Sequence, residues 1–471
     1  MPTTTTIPES VEYRVILMEP DSRAVLALDT RDSSTLPRVR IPNKRRPAQQ
    51  LQIAIRSAWG LPALILDFVE SDDNSLPCVI AELLTPVATR MLKPIGPSQL
   101  SCLKLTEREH SALLSVLRGE SRSPFTRVGW LAEAAAWIEA ATGRKLSEEY
   151  EIEHLNAGGS FALVRFPMDE GSDVWLKATG EPNTHELSIT LLLSKLCGQH
   201  VPEIMATRPE WNAWIMSGED LGIPDAFMDP IGFFHMLEDA VQSMAELQMQ
   251  TVGSDSGLLN AGAFDQHLEV LLSHSEAMFV YLEEVTELCA TSEAPRLERQ
   301  LLRDIRDTFI RAGERVQRLN IPDTILHGDM SLGNIVVGRD RCRFVDWSEA
   351  FVGPCLVTLE HMLLLNGVGN PKMRDFMNCA LKDKYLDVWS AACDRDALRQ
   401  GLDNMPLIGM VSALYGRGDW LDSPKRYDAH RLSYARTLAT CMNGVSQSCV
   451  RSHGGGLVSV LVDQQGESRR L

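Results

Sequence analysis

Three residues far along the chain have the types and spacing for phosphoryl chemistry: Asp329, Asn334 five residues on, and Asp346 twelve residues after that. The first two lie in the run Ile325-Leu326-His327-Gly328-Asp329-Met330-Ser331-Leu332-Gly333-Asn334-Ile335-Val336-Val337, and an apolar stretch then ends in Asp346-Trp347. Phosphoryl transfer needs a carboxylate beside the attacking hydroxyl and oxygen ligands for the divalent cations that neutralise the phosphates. One loop between short strands supplies a carboxylate and an amide oxygen, and the end of the next strand supplies a second carboxylate. The plainer reading is a tight turn, since Asp, Asn and Gly all favour turns. The separations and the strand-like flanks favour the chemical one.

The spacing is that of the protein-kinase catalytic loop, H-R-D-x-x-x-x-N followed by D-F-G. Gly328 stands where the Arg would be, and Asp346-Trp347-Ser348 stands for D-F-G. With these changes the chain resembles the aminoglycoside phosphotransferase and choline kinase family over about residues 150–442. The resemblance implies an α+β, bilobal protein-kinase-like fold, with a β-rich ATP-binding lobe before a mostly helical lobe. It implies ATP, or GTP in its place, with magnesium (Mg2+). Asp329 would be the catalytic base, Asn334 and Asp346 magnesium ligands, and His327 a brace for the loop. Without the Arg, control by activation-loop phosphorylation is not expected. One departure stands out: many family members have Gly-Asp-Pro and then another Asp, whereas this chain reads Gly353-Pro354-Cys355-Leu356-Val357-Thr358. Thr358 falls at the later Asp, which places the chain off the best-known resistance-enzyme branch.

An ATP lobe should lie upstream. Glu151 to Leu155 and Ala162 to Phe166 read as strands around Asn156-Ala157-Gly158-Gly159-Ser160. Backbone N–H groups of such a turn can approach phosphates, although alone it is an ordinary hairpin. Val174-Trp175-Leu176-Lys177-Ala178 is a strand with one Lys in an apolar run. Given the downstream loop, Lys177 is expected on the nucleotide phosphates, held by Glu186, with Asn156, Gly158, Gly159 and Ser160 completing the cofactor-binding set. Two alternatives compete: Lys177 as a surface residue of an edge strand, and Glu186 as part of a capping box with Asn183. The strand Trp211 to Met216 then leads into Ser217-Gly218-Glu219-Asp220-Leu221-Gly222, which resembles the family's adenine hinge.

Ahead of these elements, Tyr13 to Met18 and Ala24 to Leu28 read as a hairpin, Pro47 to Trp59 as a helix closed by Gly60, and Cys78 to Leu84 as a strand. This small α/β layout resembles a Nudix domain that has lost its chemistry. Aligned on Gly60-Leu61, its metal-binding glutamates would fall on Arg45, Ala54, Ser57 and Ala58. Residues 122–124 read as a break and Trp130 to Thr142 as a connector helix stopped by Gly143. The expected organisation is an N-terminal domain at 1–123, a connector at 124–149, the ATP lobe at 150–222, a helical lobe at 223–450 and a mobile tail at 451–471. Helical spacing is read at 233–249, 264–289, 296–319, 373–392, 396–414 and 429–442.

The bulk numbers set limits. The chain has 471 residues, 44% hydrophobic and 23% charged, as in globular proteins with full-sized cores. A formal net charge of −17 argues against nucleic-acid binding, which needs a basic surface; it is compatible with a small hydroxylated, cationic acceptor, the plainer reading being that it keeps the protein in solution. No apolar run has membrane-spanning length, and no signal pattern opens the chain, so no membrane partner and a cytoplasmic location are expected. The ten cysteines form no C-x-x-C pair and read as reduced thiols. No G-x-x-x-x-G-K-[ST], H-E-x-x-H or G-x-S-x-G motif occurs. Glu283, Glu284 and Glu360 are acidic candidates for meeting an amine, with solvated helix faces as the plainer reading. The rival to a small-molecule kinase is a nucleotide-binding pseudokinase acting as a regulatory or binding module; Lys177, Asp329, Asn334 and Asp346 are all present against it. A kinase acting on protein side chains is disfavoured by the missing Arg and activation-loop pattern.

Overall fold

The computed structural model describes residues 10–30, 33–43, 46–69, 76–84, 91–218, 230–291, 295–338, 340–421 and 423–451. Arg45, Glu219 to Gly222 of the expected hinge, and the expected tail beyond residue 451 lie outside them. The fold is α+β, with a β-rich part and a helical part, and it divides into two compact units. The first comprises Met1–Leu187 and Glu203–Glu219; the second comprises Ser188–Pro202 and Asp220–Leu471.

The first unit opens with β1 (Ser10–Met18), β2 (Val25–Thr30), β3 (Ser33–Thr35), β4 (Arg38–Pro42), α1 (Pro47–Trp59), β5 (Ala63–Val69), β6 (Cys78–Leu83) and β7 (Lys93–Ile95). Strands β1 and β2 form the expected antiparallel pair, with Leu17 opposite Leu26. β1 also runs parallel to β6 and antiparallel to β4, and the seven strands make one sheet. Alternation along β1 sends Val15 and Leu17 to one core and Ile16 and Met18 to another. Burial on both faces explains why Val15 to Met18 is apolar without interruption. Helix α1 covers the first face with Ala48, Leu51 and Ile55; Pro47 opens it and Gly60, at φ 70°, closes it by donating to Arg56 O.

The opposite face packs on α2 (Glu107–Arg118), α3 (Trp130–Thr142) and a second, five-stranded sheet. That sheet contains β8 (Glu153–Asn156), β9 (Phe161–Phe166), β10 (Val174–Thr179), β11 (Ile204–Arg208) and β12 (Ala213–Ser217), in the order β11-β12-β10-β9-β8. Ala162, Val164, Phe166, Val174, Leu176, Ala178, Ala213 and Ile215 share one core with Ile16, Met18, Leu64, Leu66 and Ile80 of the first sheet. Helix α3, read from sequence as a connector, buries Trp130, Leu131, Ala134 and Ile138 in that core.

Helix α4 (Glu186–Cys197) begins in the first unit and continues into the second. The second unit then runs α5 (Pro230–Thr251), α6 (Asp255–Asn260), β13 (Phe264–Asp265), α7 (Leu268–Ser273), α8 (Ser275–Leu288), α9 (Arg299–Arg318), β14 (Asp323–His327), β15 (Ile335–Val337), β16 (Cys342–Phe344), β17 (Ala350–Pro354), α10 (Leu356–Leu363), α11 (Pro371–Trp389), α12 (Arg395–Leu402), α13 (Met405–Tyr415) and α14 (Ala429–Arg451). Two stretches read as single helices are interrupted. Residues 264–289 begin as β13, which pairs with β17, and then split into α7 and α8. The 396–414 stretch breaks before Met405 and Pro406, because Pro cannot donate a helical hydrogen bond and belongs in a first turn.

Candidate active site

Lys177 lies on β10, between β9 and β12. Its neighbours Leu176 and Ala178 point into the shared core, so the alternation of the strand turns Lys177 to the other face. There its Nζ lies 2.6 Å from Glu186 Oε1 and 5.9 Å from the ring centre of Trp214. Both partners are buried, Lys177 at 7% exposure and Glu186 at 1%. An edge-strand surface lysine is therefore not what the structure contains. Glu186 is the first residue of α4, and its N–H donates to Asn183 O. Its Oε1 faces Lys177.

The turn between β8 and β9 holds Asn156 at the end of β8, followed by Gly158, Gly159 and Ser160. Gly158 has φ 126°, a backbone that side-chain-bearing residues rarely adopt. The Ser160 carbonyl accepts from Gly180 N at 2.8 Å. Gly180, just past β10, was not singled out from sequence, yet a Cβ there would sit 2.1 Å from Gly159 O.

In the second unit, β14 and β17 pair antiparallel with His327 opposite Ala350, which brings Gly328 N within 3.1 Å of Glu349 O. A Cβ on Gly328 would lie 2.2 Å from that oxygen, so this pairing requires a glycine there. Asn334 is 4% exposed; its Nδ2 donates to Asp329 O at 2.7 Å and to Asp329 Oδ2 at 3.0 Å. Its backbone carbonyl accepts from Val345 N at 3.1 Å, tying the loop to the residue before Asp346. His327 Nε2–H donates to Val345 O at 2.9 Å, and its ring lies 4.7 Å from that of Trp347. Asp346 has φ 68° and accepts from Ser348 Oγ at 3.0 Å. Left-handed backbone at a non-glycine residue is strained and persists where its surroundings hold it.

Among the described residues no group of three or more His, Cys, Asp or Glu is arranged to hold a metal ion. Magnesium at phosphoryl-transfer sites seldom uses such a cage; one or two protein oxygens, waters and the phosphates complete its shell. The donor set fits that pattern. The Asn334 amide nitrogen is engaged with Asp329, so its hard amide oxygen is the atom that would face a cation, and Asp346 would add a carboxylate.

The other acidic candidates have local partners. Glu283 pairs with Arg296 and Arg299, Glu284 accepts from Tyr427 Oη at 2.8 Å, and Glu360 lies 3.9 Å from Lys382. Burial raises the Glu360 pKa, with Lys382 opposing. Thr358 is fully buried on α10. Glu349 was missed by sequence reasoning. It keeps an exposed face, and desolvation raises its pKa, opposed by Arg417 and reinforced by Asp346. Only its place three residues after Asp346 could have drawn attention to it.

No protein-family model matches the chain, and no curated protein matches it. Solved structures do. A choline kinase from Cryptosporidium parvum is 14% identical with a TM-score of 0.43, over 65% of this chain and 91% of that one. A choline/ethanolamine kinase family protein from Mesorhizobium loti is 14% identical with a TM-score of 0.40, over 70% and 98%. A macrolide 2'-phosphotransferase from Brachybacterium faecium is 13% identical with a TM-score of 0.39, over 65% and 97%.

Proposed function

We propose that the protein is an ATP-dependent phosphotransferase that moves a γ-phosphate onto a hydroxyl of a small, cationic molecule, within a protein-kinase-like fold. The observation that carries this reading is the Asn334 amide bonded to both the carbonyl and the carboxylate of Asp329. It fixes one carboxylate beside an amide oxygen, the arrangement a hydroxyl-activating base and a cation ligand require. Lys177, held by Glu186, is assigned to the α- and β-phosphates, and the turn from Asn156 to Ser160 to the phosphate backbone. Asp329 orients the acceptor hydroxyl and takes its proton as the new O–P bond forms and the bond from γ-phosphorus to the leaving oxygen breaks. Asn334 and Asp346 would hold magnesium, which supplies charge neutralisation of the phosphates when bound. Positioning and electrostatics provide most of the rate. No helix among the described residues is long and apolar enough to cross a membrane.

The test uses thermal shift and turnover together. A ligand binding only the folded state at 100 times its dissociation constant stabilises it by about 2.7 kcal/mol. Wild type should show a magnesium-dependent shift with ATP or GTP. Asp346→Ala should lose it, whereas Asp329→Ala should keep it and lose turnover against a panel of hydroxylated amines. No shift with either nucleotide in wild type would refute the reading.

A further inference from the structure

The glycine-rich turn is held from outside its own sheet. Strand β8 is an end strand, with one edge unpaired by any strand in the order β11-β12-β10-β9-β8. Exposed edges of this kind are usually mobile or covered. Here Gln52 of α1 acts as a substitute strand: its Nε2 donates to Ile152 O at 3.0 Å, and its Oε1 accepts from His154 N at 3.2 Å. One helical turn on, Arg56 pairs with Glu151. Ala157, inside the turn, packs on the core formed by α1 and the seven-stranded sheet.

The tip of the turn is held as well. The pairing of β5 with β6 shifts register between Ile65 and Asp67, and such a bulge re-aims the side chains beside it. Asp67 and Phe68 consequently lie against Gly158, 3.7 and 3.9 Å from where its Cβ would be. Ser123, in the segment that reads as a break, is 7% exposed. Its Oγ donates to Gly159 O at 2.6 Å, and its own N–H donates to Thr126 Oγ1 at 3.3 Å. Gly180 closes the other side, where a Cβ would lie 2.7 Å from Ser123 Oγ.

We infer that the N-terminal sheet and its α1 form a built-in clamp that keeps the glycine-rich turn in one conformation for nucleotide phosphates, with Ser123 and Gln52 as positioning residues. The inference rests on the reading of that turn as nucleotide-binding. A glycine-rich turn loses more backbone freedom on ordering than any other. A turn ordered in advance binds its ligand without that loss. The first 123 residues then have a role at the site without chemistry of their own, in keeping with Ala54, Ser57 and Ala58 where a Nudix helix would carry glutamates.

The test uses the full chain with MgATP and adenosine as probes. Ser123→Ala removes one hydrogen bond and should weaken MgATP binding about fivefold to tenfold. Adenosine, which has no phosphates, should bind as before. Ser123→Thr, which keeps the hydroxyl, should restore MgATP affinity. Amide hydrogen exchange at residues 156–160 should quicken in Ser123→Ala without nucleotide present. Gln52→Ala, on a half-buried site, should quicken the same amides and serves if Ser123→Ala fails to fold. MgATP affinity equal to wild type in both alanine variants would overturn the clamp. If wild type binds no nucleotide, the phosphotransferase reading falls separately, and unchanged exchange at the turn would overturn the clamp on its own.

Discussion

Asn334 holds Asp329 twice, by the carbonyl oxygen at 2.7 Å and by the carboxylate Oδ2 at 3.0 Å. Both bonds come from one buried amide nitrogen, so the carboxylate cannot turn without losing a partner. The carbonyl bond fixes the loop and the carboxylate bond fixes the rotamer.

Asn334→Ala should therefore cost both folding and chemistry. Asp329 is half-buried, so losing the bonds that Asn334 donates to it costs about 1 kcal/mol in stability. Loss of a positioned general base typically costs about 10²–10⁴-fold in rate. The expected outcome is a modest fall in urea midpoint and a fall in kcat of at least about 100-fold, once an acceptor is in hand. A variant that lowers stability with kcat unchanged would show that the amide serves only the loop.

Lys177 and Glu186 form a buried pair whose worth is asymmetric. Removing one charge strands the other, which costs about 3–5 kcal/mol, while replacing both can be nearly neutral. Lys177→Met should lower the denaturant midpoint strongly, and Lys177→Met with Glu186→Gln should recover most of it. Neither should restore nucleotide affinity, because the cation is absent from both. A double variant as unstable as the single one would mean that Trp214 and the strand packing, rather than the charge, set the cost.

Much of this was legible in the sequence because local signals and packing agree. Helix α1 begins at Pro47 and ends before Gly60, as its punctuation dictates, and α3 runs from Trp130 to Thr142. The strand around Lys177 and the island around Asp329 stand out because a charged residue in an apolar run needs a reason. What stayed hidden depends on partners distant in sequence. Nothing in the run Val15-Ile16-Leu17-Met18 reveals that its two faces serve different cores. Ser123 reads as a loop residue because its bond to Gly159 spans 36 positions. The 264–289 stretch has helical spacing throughout, yet Phe264 and Asp265 are drawn into a strand by β17, and a tertiary partner overrides local preference.

The last prediction concerns pH. Asp323 opens β14, four residues before His327, and its pKa is raised to about 6. Desolvation is the main cause; Asp255, Glu269 and Asp265 add to it, and His267, bonded to Asp265, opposes it. A carboxyl whose folded-state pKa lies above its unfolded value favours the fold only while it is protonated. Its contribution is complete below about pH 4, where the unfolded chain also binds the proton, and is lost as pH rises through about 6. Asp323→Asn keeps the neutral form at every pH. It should match wild type near pH 4 and become the more stable protein by pH 8, by about 1 kcal/mol once partial solvent screening is allowed for. Urea midpoints measured on both proteins across that range decide the matter: parallel curves would mean that the carboxyl is ionised in the fold and that His267 compensates for it in full.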